Sequence, residues 1–86
     1  METRIVYRDD SDHARAVLDF LRDFEKQTGK KLQTIDPDTR DGAAFCEVND
    51  IMEYPTIIAA DDAGHQLQQW RGLPLPTISE VSYYVR

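Results

Sequence analysis

Apolar and polar positions along the chain switch between two periods, and each switch marks an element. Thr3-Arg4-Ile5-Val6-Tyr7 is β-branched and aromatic and stops at the polar Arg8-Asp9-Asp10, which predicts a first strand. From about Ser11 to Thr28, Ala14, Val17, Leu18, Leu21 and Phe24 recur at helical spacing and form one apolar stripe. Asp9, Asp10, Ser11 and Asp12 supply cap candidates and negative charge at its amino end, and Gly29 closes it. Lys31-Leu32-Gln33-Thr34-Ile35 reads as a second strand, and Asp36-Pro37-Asp38-Thr39 as a turn opening a second helix. That helix runs from about Arg40 to Ile51, with Ala44, Phe45, Val48, Ile51 and Met52 as its expected apolar side.

Beyond it, Thr56 to Ala60 and Gln66 to Arg71 read as two strands joined by the hairpin turn Asp61-Asp62-Ala63-Gly64. Gly72 ends the last strand, and Leu73-Pro74-Leu75-Pro76 leads into a final helix. There Thr77 and Glu80 have capping-box spacing, while Ile78, Val81 and Val85 form the stripe. The order strand, helix, strand, helix, hairpin, helix fits an α/β fold, a four-stranded mixed sheet with helices on both faces. The first two strands, linked through a helix, are expected to be parallel with a right-handed crossover. With the antiparallel hairpin this predicts the spatial order 2-1-3-4. At 86 residues the chain is expected to be a single domain spanning 1–86.

Charge narrows the partners. The net charge is −6 and the isoelectric point near 4.7, so the surface repels phosphate backbones, and nucleic acid is not an expected partner. No apolar stretch is long enough to span a bilayer. The amino end, Met1-Glu2-Thr3-Arg4, lacks the basic segment and apolar core of a signal peptide, and Cys46 is the one cysteine. A cytoplasmic monomer is the expectation.

Three features in order resemble the thioredoxin/glutaredoxin superfamily. A strand ending in Tyr7 feeds a long amphipathic helix; Ile51-Met52-Glu53-Tyr54-Pro55-Thr56 looks like the segment carrying the family's cis-proline; and Trp70-Arg71-Gly72 ends the hairpin. The resemblance covers nearly the whole chain and implies a minimal β-α-β-α-β-β-α thioredoxin-like fold. It also implies a cis Tyr54-Pro55 bond whose preceding backbone pairs with an extended peptide or glutathione.

The departure from that pattern is chemical. Aligning the helix stripes sets Ser11-Asp12-His13-Ala14 over the family's Cys-x-x-Cys box, with Ser11 at the nucleophile position and Ala14 at the resolving one. A helix amino end activates a thiol, whereas a serine hydroxyl needs a base. His13 is the only local candidate, and neighbours on a helix do not face one another. Ser11 is therefore read as a cap and not as a nucleophile. Glutathione, with two carboxylates, would meet Asp9, Asp10 and Asp12 opposed only by Arg8 and Arg71. Cys46 is expected opposite the second helix's stripe, partly exposed, with Glu47 and Asp50 raising its pKa, and prone to adventitious dimerisation. His13, His65 and Cys46 lie in separate segments without metal-ligand spacing, so neither metal nor cofactor is expected. Trp70 is expected to pack under a helix, with Tyr83 or Tyr84 facing outward.

The leading expectation is a redox-inactive domain that binds a protein or peptide, of basic character, at Ser11, Asp12, His13, Tyr54, Pro55, Arg71, Gly72 and Leu73. Glutathione-linked or serine-based chemistry at Ser11 is one alternative. A structural subunit of a larger complex is another.

Overall fold

Runs of β-branched residues set the sheet. In the computed structural model, which describes residues 2–85, the strands are β1 Glu2–Val6, β2 Gln33–Ile35, β3 Thr56–Ala60 and β4 Gln66–Arg71. The helices are α1 Ala14–Thr28, α2 Arg40–Val48 and α3 Ile78–Ser82. The strands form one sheet in the predicted order β2-β1-β3-β4. β1 runs parallel to β2 and antiparallel to β3, and β4 returns antiparallel to β3.

The inner strands β1 and β3 are buried on both faces, which is why Ile57-Ile58-Ala59 is continuously apolar rather than alternating. On one face Ile5, Tyr7 and Ile57 pack with Val17 and Phe24 of α1, Leu32 and Val81 of α3. On the other, Val6 and Ile58 pack with Cys46 of α2 and with Ile51. Each fully buried side chain of this size stabilises the fold by about 1.5–3 kcal/mol, so the first face carries most of the hydrophobic stabilisation.

Both helix readings need correction. In α1 the stripe of Ala14, Val17 and Phe24 is buried as predicted, but Leu18 is 53% exposed. Phe20 takes up the space instead, stacked on Phe24 with ring centroids 5.9 Å apart. In α2 the expected side is right for Phe45 and Ile51, which pack into the core, and wrong for Ala44, Val48 and Met52, and the helix ends at Val48 rather than Ile51. Val48 and Met52 are 82% and 84% exposed, Ala44 is exposed, and the inward face is Gly42, Phe45 and Cys46. The reason is distance: a Cβ on Gly42 would sit 1.8 Å from the Asp36 carbonyl oxygen. The small Gly42 lets α2 lie close to the preceding turn.

The ends of the helices follow local chemistry. Thr39 caps α2, accepting from Gly42 N–H at 3.0 Å. At α3, Thr77 Oγ1 accepts from Glu80 N–H at 3.2 Å while Thr77 N–H donates to Glu80 Oε1 at 3.2 Å, the capping box that the spacing predicts.

Candidate functional site

The predicted site residues lie where β1 ends, α1 begins, β3 begins and β4 ends. α1 starts at Ala14, three residues after Ser11, and the segment between is a turn folded back on Arg8. Ser11 is not the cap of α1: its hydroxyl donates to the Arg8 carbonyl at 2.5 Å. His13 takes the cap position without a side-chain capping bond, and its Nε2 accepts from the Arg8 N–H at 3.2 Å. Nε2 as acceptor puts the ring proton on Nδ1. Ser11 and His13 are thus each engaged with the Arg8 backbone and not with one another, so no Ser–His pair forms. Asp12 is exposed in the same turn.

Arg8 links this turn to the proline segment. Its guanidinium lies 5.0 Å from the centroid of the Tyr54 ring and 3.3 Å from Asp38 Oδ1. A half-exposed ion pair and an exposed cation–π contact each contribute at most about 1 kcal/mol. Together they hold the charge over the ring. Tyr54 is half-buried against the α2-side core, and burial is the main cause raising its pKa above the usual 10.0; the nearby Cys46 thiol adds to the rise and Arg8 opposes it.

Cys46 lies behind Tyr54, 7% exposed, so the expected partial exposure and dimerisation through this thiol are corrected: α2 turns it inward. Its pKa is raised above the usual 9.0, first by burial and against the lowering influence of Tyr54 and Arg8. Burial, not Glu47 or Asp50, is the cause.

The Tyr54-Pro55 peptide bond is cis, as is Leu73-Pro74. Thr56 Oγ1 donates to the Glu53 carbonyl at 2.6 Å, closing the turn before β3. Pro55 is buried, and its carbonyl accepts from Gly72 N–H at 2.8 Å. Gly72 has φ +69°, the left-handed region that favours glycine, whereas the 2.9 Å approach of a Cβ there to Glu53 Oε2 is one that the flexible glutamate relieves by moving. Arg71 pairs with Thr56 in the ladder and is exposed, and Leu73 is 57% exposed.

The structure therefore brings together Ser11 and His13 through Arg8, Tyr54 through the Arg8 guanidinium, and Pro55 with Gly72. Sequence reasoning gave Arg8 only as a charge opposing the aspartates and gave Asp38 no role beyond its turn. Their joining required the β1–β2 and β1–β3 pairings, which no local pattern records. A cavity of about 380 Å3 lies apart from these residues, between β2 and α2, lined by Arg4, Gln33, Asp36, Gly42 and Phe45 among others.

No family model matches the chain, and no curated protein matches it. Among solved structures, thioredoxin 1 from the thermophilic eubacterium Thermosipho africanus TCF52B is similar, with a TM-score of 0.68 at 18% sequence identity. The similarity covers 99% of this chain and 90% of that one. Sheet order, helix placement and this likeness together establish a thioredoxin-like fold, in a chain whose single cysteine leaves it no thiol pair.

Proposed function

We propose that this is a redox-inactive binding domain that takes an extended, basic peptide segment of a partner protein across Tyr54-Pro55. The observation that carries the reading is the placement of Tyr54. The β1 ladder starts at Thr56 opposite Val6, so the Tyr54 backbone lies ahead of the paired residues while Arg8 and the α2-side core hold its ring. A peptide strand laid there gains main-chain hydrogen bonds, and the exposed Leu73 beside it offers apolar contact. Asp9, Asp10 and Asp12 are exposed in the segment leading into α1, and their charge favours a basic ligand. Thiol exchange has no support: the only sulfhydryl is buried, and the Ser11 hydroxyl is engaged with Arg8. Glutathione is the weaker ligand on the same surface, because the nearer arginine is already paired with Asp38.

Titration of 15N-labelled protein with short basic extended peptides, and separately with glutathione, tests this reading. Amide shifts centred on Tyr54, Thr56, Gly72 and Leu73 are expected with peptide. Shifts centred elsewhere overturn it.

A second reading has its own observation. Val48, at the end of α2, and Met52, in the segment after it, are exposed, apolar side chains that a structural subunit would bury in a larger complex. Light scattering of the pure protein and of cell-derived assemblies containing it separates the two readings.

A further inference from the structure

Three aromatic rings at the β4–α3 corner have no part in the Tyr54 surface. Trp70 and Tyr84 meet with centroids 5.6 Å apart and planes at 71°, and Tyr83 and Tyr84 with centroids 5.1 Å apart at 83°. Both contacts are near-perpendicular, edge to face, and neither is a stack. A cavity of about 240 Å3 is lined by these rings with Gln68 and Glu80.

Local structure holds each wall. Gln68 and Trp70 are two apart on β4 and share the face away from Arg71. Trp70 packs against the core cluster that contains Val81 of α3. Tyr83 and Tyr84 directly follow Ser82, the end of α3, and Tyr84 N–H donates to the Val81 carbonyl at 3.0 Å. Glu80, which also lines the cavity, has its Oε1 accepting from both Thr77 N–H, at 3.2 Å, and Thr77 Oγ1, at 3.0 Å, so the capping box holds its side chain in place.

We propose that this corner binds a quaternary ammonium group, the head of a choline-type small molecule. Aromatic faces carry negative electrostatic potential and attract a diffuse cation that sheds water easily. Rings set at steep angles to one another around a cavity suit a near-spherical methylated head, whereas a flat sugar or planar ring needs one open platform. Glu80 supplies charge complementarity and disfavours anions, and the net charge of −6 acts in the same direction. Gln68 offers an amide to a hydroxyl beyond the ammonium.

Trp70 is the only tryptophan, so its fluorescence reports on the site directly. Titrated with choline or tetramethylammonium at constant ionic strength, it should change saturably with millimolar half-saturation. The neutral isostere 3,3-dimethylbutan-1-ol should bind at least about tenfold more weakly. Glu80→Gln keeps a capping-box acceptor while removing the charge, and should weaken choline about two- to fivefold. Tyr84→Leu should weaken it about tenfold; if that variant fails to fold, Glu80→Gln and the isostere still decide. No saturable response, equal binding of choline and its isostere, or unchanged affinity in Glu80→Gln overturns the proposal. Trimethyl-lysine binding more tightly than choline overturns the small-molecule source and assigns the ammonium to a protein side chain.

Discussion

On the α1–α3 side of the sheet, large side chains fill the interior: Phe24, Val17, Ile5, Ile57 and Val81 are fully buried. On the α2 side the helix contributes Gly42 and Cys46 as its buried residues, with Phe45 and Tyr54 half-buried at the margins. α2 lies so close to the turn before it that a Cβ on Gly42 would meet the Asp36 carbonyl. Spacing of large apolar residues therefore locates the buried face of α1, while in α2 the small residues mark it.

The sharpest way to break this contrast is Phe24→Ala. It should cost about 3–5 kcal/mol, a large share of the stability of so small a fold, and urea unfolding should show the midpoint collapse. A mild effect there would mean the α1 side is not the thicker core.

Gly42→Ala adds a single methyl group yet should destabilise by about 1–3 kcal/mol, because the new Cβ has no room beside the Asp36 backbone. Thermal melting checks this, and a neutral result would remove the close approach of α2 from the account.

Alkaline pH sharpens the comparison further. Cys46 and Tyr54 have folded-state pKa values raised above 9.0 and 10.0. Their neutral forms are favoured by folding, so the contribution is complete below the unfolded values. It is lost as pH rises through them toward the folded values. Melting temperature should therefore fall on raising the pH above about 9, and Cys46→Ala should remove the earliest part of that fall. Labelling of Cys46 by thiol reagents in the native protein should be slow and should accelerate on unfolding.

The smallest effect is expected at Val48→Gln. On an exposed position of α2 it should change stability by no more than about 0.5 kcal/mol, where the periodicity of the chain alone would predict a core defect. A loss of assembly in that variant, at unchanged stability, would favour the structural-subunit reading.

Sheet order was legible because two βα connections and a tight hairpin leave few ways to arrange four strands. The start of α1 was not. Asp9, Ser11 and Asp12 all look like caps, but the Ser11 hydroxyl and the His13 ring are drawn to the backbone of Arg8, just past the end of β1. Competition between side-chain and backbone partners of this kind cannot be ranked from a linear pattern. The site was legible in part for the same reason. Tyr54, Pro55 and Gly72 announce themselves by residue type, whereas Arg8 and Asp38 acquire a role only when β1 and the turn after β2 come side by side.

The hairpin has two ends of different character. At the far end the Asp61 N–H donates to the His65 carbonyl at 2.9 Å, and Asp61 Oδ1 accepts from Ala63 and His65 N–H groups at 3.0 and 2.8 Å. At the near end Gly72 is tied to Pro55. The turn around Ala63 lies at the opposite end of the hairpin from the clasp at Gly72, so it is the natural handle of the molecule. A tag, fluorophore or surface linker attached there would immobilise the domain with Tyr54 pointing away from the support.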